Sequence, residues 1–199
     1  MATPRRDHLL DTAEQLFYTE GFHATGIDRI QAESGVAKTT LYKHFRSKEA
    51  LIIAVLTRSS LRVKEELIAL TAPLQGQGSA RVRAIFSELH LICNSPGFNG
   101  CLFNNAAAEF MYLSPAIRQL AAEHMKWMQD FIAQLLHEEQ LPTPLAPLLL
   151  AIYEGILTVA RVQQSQDMIA LAQQLLDPIL TGITVHTDIN ENNHRHNKE

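Results

Sequence analysis

The chain has 199 residues, a formal net charge of -4 and an apolar content of 46%. This length accommodates one large helical domain or two small ones, and the apolar content is sufficient for a sizeable core. Two cysteines and no apolar signal segment argue for the reducing cytoplasm and against a disulfide scaffold. No apolar run approaches the ~20 residues that span a bilayer, which argues against a membrane protein.

Residues 1–24 predict a first helix. Pro4 suits the first helical position, with Thr3 as its N-cap, and Gly21 ends the helix. A buried stripe at helical spacing is formed by Leu9, Ala13, Leu16 and Phe17.

Residues 25–48 predict two short helices joined by a tight turn. Thr25 is a suitable N-cap for the first of them. Gly35 adopts the left-handed conformation at low cost, so the chain can turn there within a few residues. The second helix then starts near Ala37, and Ala37, Leu41 and Phe45 form its apolar stripe. This arrangement is typical of a helix-turn-helix.

The opposite faces of the second short helix are polar and cationic. Residues 36–48 hold four cations and no acid, although the whole chain has a net charge of -4. Residues 1–62 hold nine Lys/Arg and seven Asp/Glu, whereas the remainder holds eight and fourteen. This asymmetry indicates an anionic partner for the N-terminal end only. A solvated surface is the alternative explanation for the cations alone, but the turn and the apolar stripe beside them favour a helix that reads DNA.

The segment from Leu9 to Leu56, and above all GVAKTTLYKHFRSKEAL, resembles the DNA-binding domain of the TetR/AcrR family of transcriptional regulators. The resemblance covers about a quarter of the chain and includes both the turn and the start of the following helix. It implies that three side chains face base edges in the major groove, namely Lys38, Thr39 and Lys43. It also implies that five others hold phosphates, namely Thr25, Thr40, Tyr42, His44 and Lys48.

The remaining sequence predicts helices separated by capped breaks. Ser47 is a candidate N-cap for a long amphipathic helix, because no Pro or Gly follows it until Pro73. Residues 71–80 are rich in Gly and Pro and predict a loop, and Ser114 caps a later helix. The apolar positions of the long helix are Leu51, Ile52, Val55, Leu56, Leu61, Val63 and Leu67.

Strand-like alternation is absent from the sequence, so we predict an all-α protein. The predicted domains are a three-helix helix-turn-helix DNA-binding domain at residues 1–47 and a helical ligand-binding and dimerisation domain at residues 48–185. Residues 186–199 are polar and lack apolar anchors, which predicts a disordered tail.

The last two predicted helices are strongly apolar. The helix from Thr143 to about Val162 is apolar on nearly all sides, and another apolar helix starts at Asp167. A helix that is apolar all round must be covered all round, and a second copy of the chain is a natural cover. The sequence therefore predicts a two-fold homodimer, with a central helix in a monomer as the alternative. The family resemblance likewise implies that these helices form a four-helix bundle with their partners.

A ligand pocket is expected among the helices between residues 80 and 160. Polar or aromatic side chains on otherwise apolar faces are its candidate residues, although each is individually more typical of a core or surface group. The run GCLFNNAAAEF is the favoured location, because small alanines lie beside two amides. The candidates are His90, Asn104, Asn105, Glu109, Tyr112, His124, Trp127 and Tyr153.

Other reactive groups in the sequence favour no enzyme, metal site or cofactor. Cys93 and Cys101 flank a turn, where a redox switch is possible but buried thiols are more typical. His194 and His196 lie in the polar tail. The sequence contains no Gly-rich phosphate loop and none of the HExxH, GxSxG or CxxC motifs.

The predicted function is a cytoplasmic transcriptional regulator, most simply a repressor that binds a near-palindromic operator as a homodimer. A small-molecule effector in the second domain would release it from DNA. The alternative is an all-α enzyme or scaffold protein with an incidental helix-turn-helix-like corner. Gel-shift or polarisation assays on DNA from beside its own gene distinguish the two.

Overall fold

The computed structural model describes residues 4–164 and 167–182. Within these ranges the chain forms nine α-helices, two short 3-10 turns and no β-strand, which confirms the prediction of an all-α protein. The predicted N-cap Thr3 and the predicted disordered tail lie outside the described residues. The helices are α1 (Pro4–Glu20), α2 (Ile27–Ser34), α3 (Lys38–His44), α4 (Lys48–Thr71), α5 (Ala80–Cys93), α6 (Leu102–Phe110), α7 (Pro115–Glu138), α8 (Ala146–Gln163) and α9 (Asp167–Gly182).

Helices α1, α2 and α3 form the predicted helix-turn-helix unit. Helix α1 ends before Gly21, whose φ is 91°, and α2 ends before Gly35, whose φ is 64°. The Gly35 N–H donates to the Gln31 carbonyl at 3.0 Å and so closes the last turn of α2. The predicted apolar stripe of α1 is buried, namely Leu9, Ala13, Leu16 and Phe17.

Helix α4 passes through two hydrophobic cores. It begins at the predicted cap, because the Ser47 hydroxyl accepts a hydrogen bond from the Ala50 N–H at 3.0 Å. Its first turns, including Leu51, are buried with α1 to α3, and Leu67 is buried among α5, α7, α8 and α9. Leu61, one of the apolar positions of this helix, belongs to neither core and is 57% exposed.

Ion pairs and carboxylate contacts join the α4–α5 connection to the end of α7. The buried Arg81 side chain of α5 lies 2.5 Å from the Glu138 carboxylate. The Glu139 carboxylate accepts hydrogen bonds from the Gly76 and Gly78 N–H groups, both at 2.8 Å. The predicted loop at residues 71–80 is therefore held against the second core by polar contacts.

Helix α6 packs on the core of the helix-turn-helix unit. Its buried side chains contact that core, and so do Ile117 and Ala121 at the start of α7. The Tyr18 hydroxyl of α1 also donates to the Gly100 carbonyl just before α6, at 3.0 Å. The domain boundary at residue 47 stays a prediction, and the packing groups α6 with the N-terminal helices. The buried side chains of α6 are Leu102, Phe103, Ala106 and Phe110.

The segment Thr143–Gln163 is 21 residues long and contains an 18-residue stretch with a mean hydropathy of 1.7, so it is apolar enough to cross a membrane by length and composition alone. The expectation that no such run exists is therefore wrong. In this fold the segment forms a 3-10 turn and α8, and 39% of its most apolar 18-residue stretch is buried within the protomer. Leu148 is 44% exposed and Val162 is 77% exposed, so α8 presents apolar side chains at the surface.

Candidate nucleic-acid interface

Helix α3 is held by its apolar face, which leaves the opposite face at the surface. Leu41 is fully buried and Phe45 is 4% exposed, and both belong to the core shared with α1 and α4. The prediction that Ala37 continues this buried stripe is wrong, because Ala37 precedes the first turn as the N-cap and is exposed. Two buried side chains are enough to orient a helix of seven residues.

The exposed face of α3 carries the polar side chains that the sequence placed there. Tyr42 is 44% exposed, and Thr39 and Lys43 are also exposed. Thr40 and His44 are half-buried at the flanks. Hydroxyl and phenol groups suit single hydrogen bonds to phosphate, whereas a longer side chain at the centre of the face suits contact with base edges.

Lys38 is exposed but has a partner within the protein. Its ammonium group lies 2.7 Å from the Asp28 carboxylate on α2. The hydrogen bond and charge of Asp28 raise the pKa of Lys38, so the ammonium form is favoured further. A base or phosphate that binds Lys38 must therefore compete with Asp28, whose side chain is 83% exposed.

Thr25 is not the N-cap of α2, and the prediction that it caps this helix is wrong. Gly26 occupies the cap position without a side-chain hydrogen bond. The Thr25 side chain is fully buried, and its hydroxyl donates to the Gly21 carbonyl at 2.7 Å and contacts the Leu16 carbonyl at 3.2 Å. These two bonds direct the hydroxyl toward the interior of the protein. The hydroxyl therefore cannot make the predicted phosphate contact in this conformation.

Lys48 begins α4 beside the loop between α1 and α2. Its ammonium group donates to the His23 carbonyl at 3.2 Å, and the side chain is half-buried. Burial lowers the pKa of Lys48. The residue thus ties the start of α4 to this loop.

Two family models match this chain. The model described as "Bacterial regulatory proteins, tetR family" matches residues 9–55, and the model described as "Tetracyclin repressor-like, C-terminal domain" matches residues 78–176. Together they cover both the helix-turn-helix unit and most of the remaining helices. The chain belongs to the TetR family.

Curated relatives of this TetR-family chain are named as transcriptional regulators. The HTH-type transcriptional repressor NemR of Escherichia coli (strain K12) is 30% identical over 132 residues, which is 66% of this chain and 66% of that protein's own length. The HTH-type transcriptional repressor DhaR of Mycobacterium sp. (strain GP1) is 24% identical over 174 residues, 83% of this chain and 86% of DhaR. The HTH-type transcriptional activator FasR of Mycolicibacterium smegmatis is 48% identical, but over 54 residues only, or 27% of this chain and 25% of FasR.

Solved structures share the whole fold. The reduced form of E. coli NemR superposes with a TM-score of 0.82 at 26% sequence identity, over 92% of this chain and 100% of that one. SCO4454, a TetR-family regulator from Streptomyces coelicolor, superposes with a TM-score of 0.75 at 29% identity, over 88% of this chain and 94% of that one. These matches confirm the predicted architecture of a helix-turn-helix unit followed by a helical domain.

Glu109, predicted to bind a ligand, instead contacts the helix-turn-helix unit. Its carboxylate accepts hydrogen bonds from the Phe22 N–H at 2.9 Å and the His23 N–H at 2.6 Å. The His23 ring also lies 3.0 Å from the Glu109 carbonyl and stacks on Phe110 with ring centroids 4.6 Å apart. Helix α6 is therefore bound to the loop that precedes α2.

The two amides of α6 are also engaged by neighbouring side chains. Asn104 donates to the Glu154 carboxylate at 2.6 Å, and burial raises the pKa of Glu154 to about 7. The Asn105 carbonyl oxygen accepts from Arg161 at 2.5 Å. The predicted open space beside these amides is thus bridged by contacts between α6 and α8.

The other five ligand candidates are spread over different surroundings. His90 is exposed on α5, and Tyr112 is 95% exposed in the turn after α6. His124 is buried, with its ring 3.6 Å from that of Phe103, and Trp127 stacks on Phe131 at 5.0 Å. Tyr153 lines an apolar cavity of about 450 Å³.

The eight candidates therefore do not share one pocket. The cavity that contains Tyr153 is lined largely by residues of α4, and two of these, Val63 and Leu67, are predicted apolar positions of that helix. The apolar spacing of α4 identifies its buried face but does not distinguish a filled core from an open one. The two cysteines are unpaired, and burial raises the pKa of Cys101 to about 12, which favours its protonated thiol.

Proposed function

We propose that this chain is a transcriptional repressor that binds a near-palindromic operator as a homodimer in the bacterial cytoplasm and is released by a small-molecule effector. The observation that carries the proposal is the exposed face of α3. This face presents Thr39, Tyr42 and Lys43 without a carboxylate on the same helix. Such a surface suits the major groove, where hydroxyls and cations meet phosphates and base edges.

The dimer is supported by the apolar character of α8. Its segment Thr143–Gln163 is long and apolar, yet only 39% of its most apolar 18-residue stretch is buried within the protomer. A second copy packed on this surface removes the exposed apolar area from water. It also places two α3 helices on the same duplex, where a separation of about 34 to 36 Å matches successive major grooves.

Control by a ligand is supported by the connections between the two cores. Helix α4 is buried in both, and α6 holds the loop before α2 through Glu109. A ligand that favours one arrangement of the second core shifts the population of α3 orientations, and only one spacing of the two α3 helices fits DNA. Repression, rather than activation, is supported by the names of NemR and DhaR, which match far more of the chain than FasR does.

Fluorescence polarisation with DNA from beside the chain's own gene tests the proposal. Wild-type protein is expected to bind one fragment selectively, with an affinity that falls steeply as salt increases. Tyr42→Ala is expected to weaken binding to all sequences about equally. Lys43→Ala is expected to cost about 1 to 3 kcal/mol and to relax the base preference at one position.

Lys126→Ala is the matched control for Lys43→Ala. Lys126 is 74% exposed on α7, where it pairs with Asp130 at 2.7 Å, so its removal changes the net charge equally without touching α3. This control should leave both affinity and base preference unchanged. If wild-type protein shows no salt-sensitive, sequence-selective binding, the enzyme or scaffold alternative is favoured instead. If Lys43→Ala weakens all sequences equally, Lys43 does not read bases.

A further inference from the structure

A cavity of about 450 Å³ lies between α4, α5 and α8. Most of its lining residues are apolar, such as Val63 and Leu70 of α4 and Ile92 of α5. Its polar groups come from Glu66, Glu88 and Tyr153. The volume falls within the range of cavities that enclose small organic ligands, and the wall is apolar enough to bind a hydrocarbon body.

The charged residues that line the cavity are all acidic. Two of the eight residues that line it are glutamates, and none is Lys, Arg or His. Glu88 is half-buried and forms no hydrogen bond or ion pair with any of the side chains that the structure describes. Glu66 has only a distant partner, since the Arg62 Nε atom lies 3.8 Å from its carboxylate. An apolar wall with an unpaired carboxylate favours a cation over an anion or a neutral molecule.

Tyr153 adds an aromatic ring and a hydroxyl to the wall. Phe86 holds the ring edge-on, with centroids 6.1 Å apart and an interplanar angle of 84°. Burial and then the nearby Glu154 carboxylate raise the pKa of Tyr153, and Glu88 contributes in the same direction, so the phenol is neutral. Aromatic rings attract organic cations through the negative potential of their faces.

We propose that this cavity binds an organic cation with an apolar body, of the alkylammonium class, as the effector. The inference rests on the proposed function, because it names the chemical class of the ligand that releases the DNA. A neutral hydrocarbon would fill the apolar wall but leave Glu88 unpaired. An inorganic cation would pair with Glu88 but leave the apolar wall empty.

The location of the cavity connects it to DNA binding. Its α4 wall includes Val63, Leu67 and Leu70, on the helix whose first residue, Lys48, follows α3 after a short turn. A ligand body placed against this wall contacts the helix that joins the two cores. Binding there therefore acts on the element that sets the position of α3 relative to the rest of the protomer.

Isothermal titration of the full chain with three decyl compounds tests the proposal. The probes are decyltrimethylammonium, 1-decanol and decanoate, which share a chain length and carry charges of about +1, 0 and -1. Each is used below its micelle concentration, without DNA. We expect saturable binding of one decyltrimethylammonium per protomer, at least about tenfold tighter than 1-decanol, and the weakest binding for decanoate.

Two variants distinguish the effect of a carboxylate in the cavity wall from the effect of a carboxylate elsewhere on the surface. Glu88→Gln is expected to weaken decyltrimethylammonium binding about tenfold and to leave 1-decanol binding unchanged. Glu123→Gln removes the same charge from an exposed position on α7 and should change neither. Circular dichroism checks that Glu88→Gln folds; if it does not, Glu66→Gln, at a largely exposed side chain, replaces it with the same expected selectivity.

The outcomes overturn the ligand class and the proposed function separately. Equal binding of the three probes by wild-type protein, or equal effects of Glu88→Gln and Glu123→Gln, overturns the organic-cation class. Binding of no probe overturns it as well, even where selective DNA binding is intact. Selective cation binding together with absent DNA binding supports the cavity assignment and refutes the repressor. Addition of decyltrimethylammonium to the DNA complex is expected to weaken DNA binding at least about tenfold in wild-type protein and less in Glu88→Gln.

Discussion

The contact between Glu109 and the loop before α2 gives the sharpest prediction about how the two halves of the chain are joined. The carboxylate accepts two backbone hydrogen bonds, at 2.9 Å from Phe22 and 2.6 Å from His23. Hydrogen bonds to a charged group contribute about 1.5 to 3 kcal/mol each. The hydrogen bond from His23 is exposed, so this N–H can bond to water after truncation, whereas the hydrogen bond from the Phe22 N–H is partly buried. Glu109→Ala should therefore lower the free energy of unfolding by about 2 to 4 kcal/mol.

Glu109→Gln distinguishes the hydrogen bonds from the size of the side chain. Its amide oxygen can accept from one of the two N–H groups, but its NH₂ group then faces the other donor, so a smaller loss of about 1 to 2 kcal/mol is expected. Urea unfolding at a fixed protomer concentration measures both variants. Glu123→Ala, at an exposed position on α7, is the control. A loss below about 0.5 kcal/mol for Glu109→Ala, equal to that of the control, would refute the contact as a stabilising one.

Two further predictions concern titration and the turn. Burial lowers the pKa of His124 from 6.5 to about 4. The unfolded chain gains a proton below pH 6.5 that the folded chain does not, so stability is lost as the pH falls from 6.5 to 4, by roughly 3 kcal/mol. Urea unfolding at pH 7.5 and 4.5 should show a smaller loss for His124→Phe than for wild type; equal losses contradict this. Gly35→Ala, at a φ of 64° with no atom within 4 Å of the added Cβ, should cost about 1 to 2 kcal/mol through backbone strain, and Gly35→Asn less. The same cost for both would contradict strain as the cause.

Features set by neighbouring residues were predictable from the sequence. The turn at Gly35 and the caps at Ser47 and Ser114 depend on contacts within four residues, and all three are present. The buried pair Leu41 and Phe45 follows from helical spacing in the same way. Local signals of this kind also fix which face of α3 is exposed. The roles of single side chains toward bases and phosphates came from the family resemblance and stay predictions.

Features set by distant residues were not predictable from spacing. Glu109 meets Phe22 across 87 positions of sequence, and Tyr18 meets Gly100 across 82. A polar residue on an apolar face is equally typical of a ligand site and of a contact within the protein, and the Glu109 carboxylate makes a contact of the second kind. The prediction that Thr25 caps α2 was wrong for a related reason, because its hydroxyl donates to carbonyls at Leu16 and Gly21 and not to the first turn of α2.

The packing of α4 and α6 restricts how a ligand can move α3. The first turn of α4 is attached twice, through Lys48 to the His23 carbonyl and through Glu49, whose carboxylate accepts a hydrogen bond from Ser114 at the start of α7. Helix α6 holds the same loop through Glu109. Helices α1 to α3 therefore cannot turn about the start of α4 alone without breaking the contacts of α6 and α7. A displacement of the α4 wall of the cavity either carries the helix-turn-helix unit and α6 together as one body or first releases the Glu109 contact. In the first case Glu109→Ala leaves effector-induced release unchanged, and in the second it weakens DNA binding without any effector.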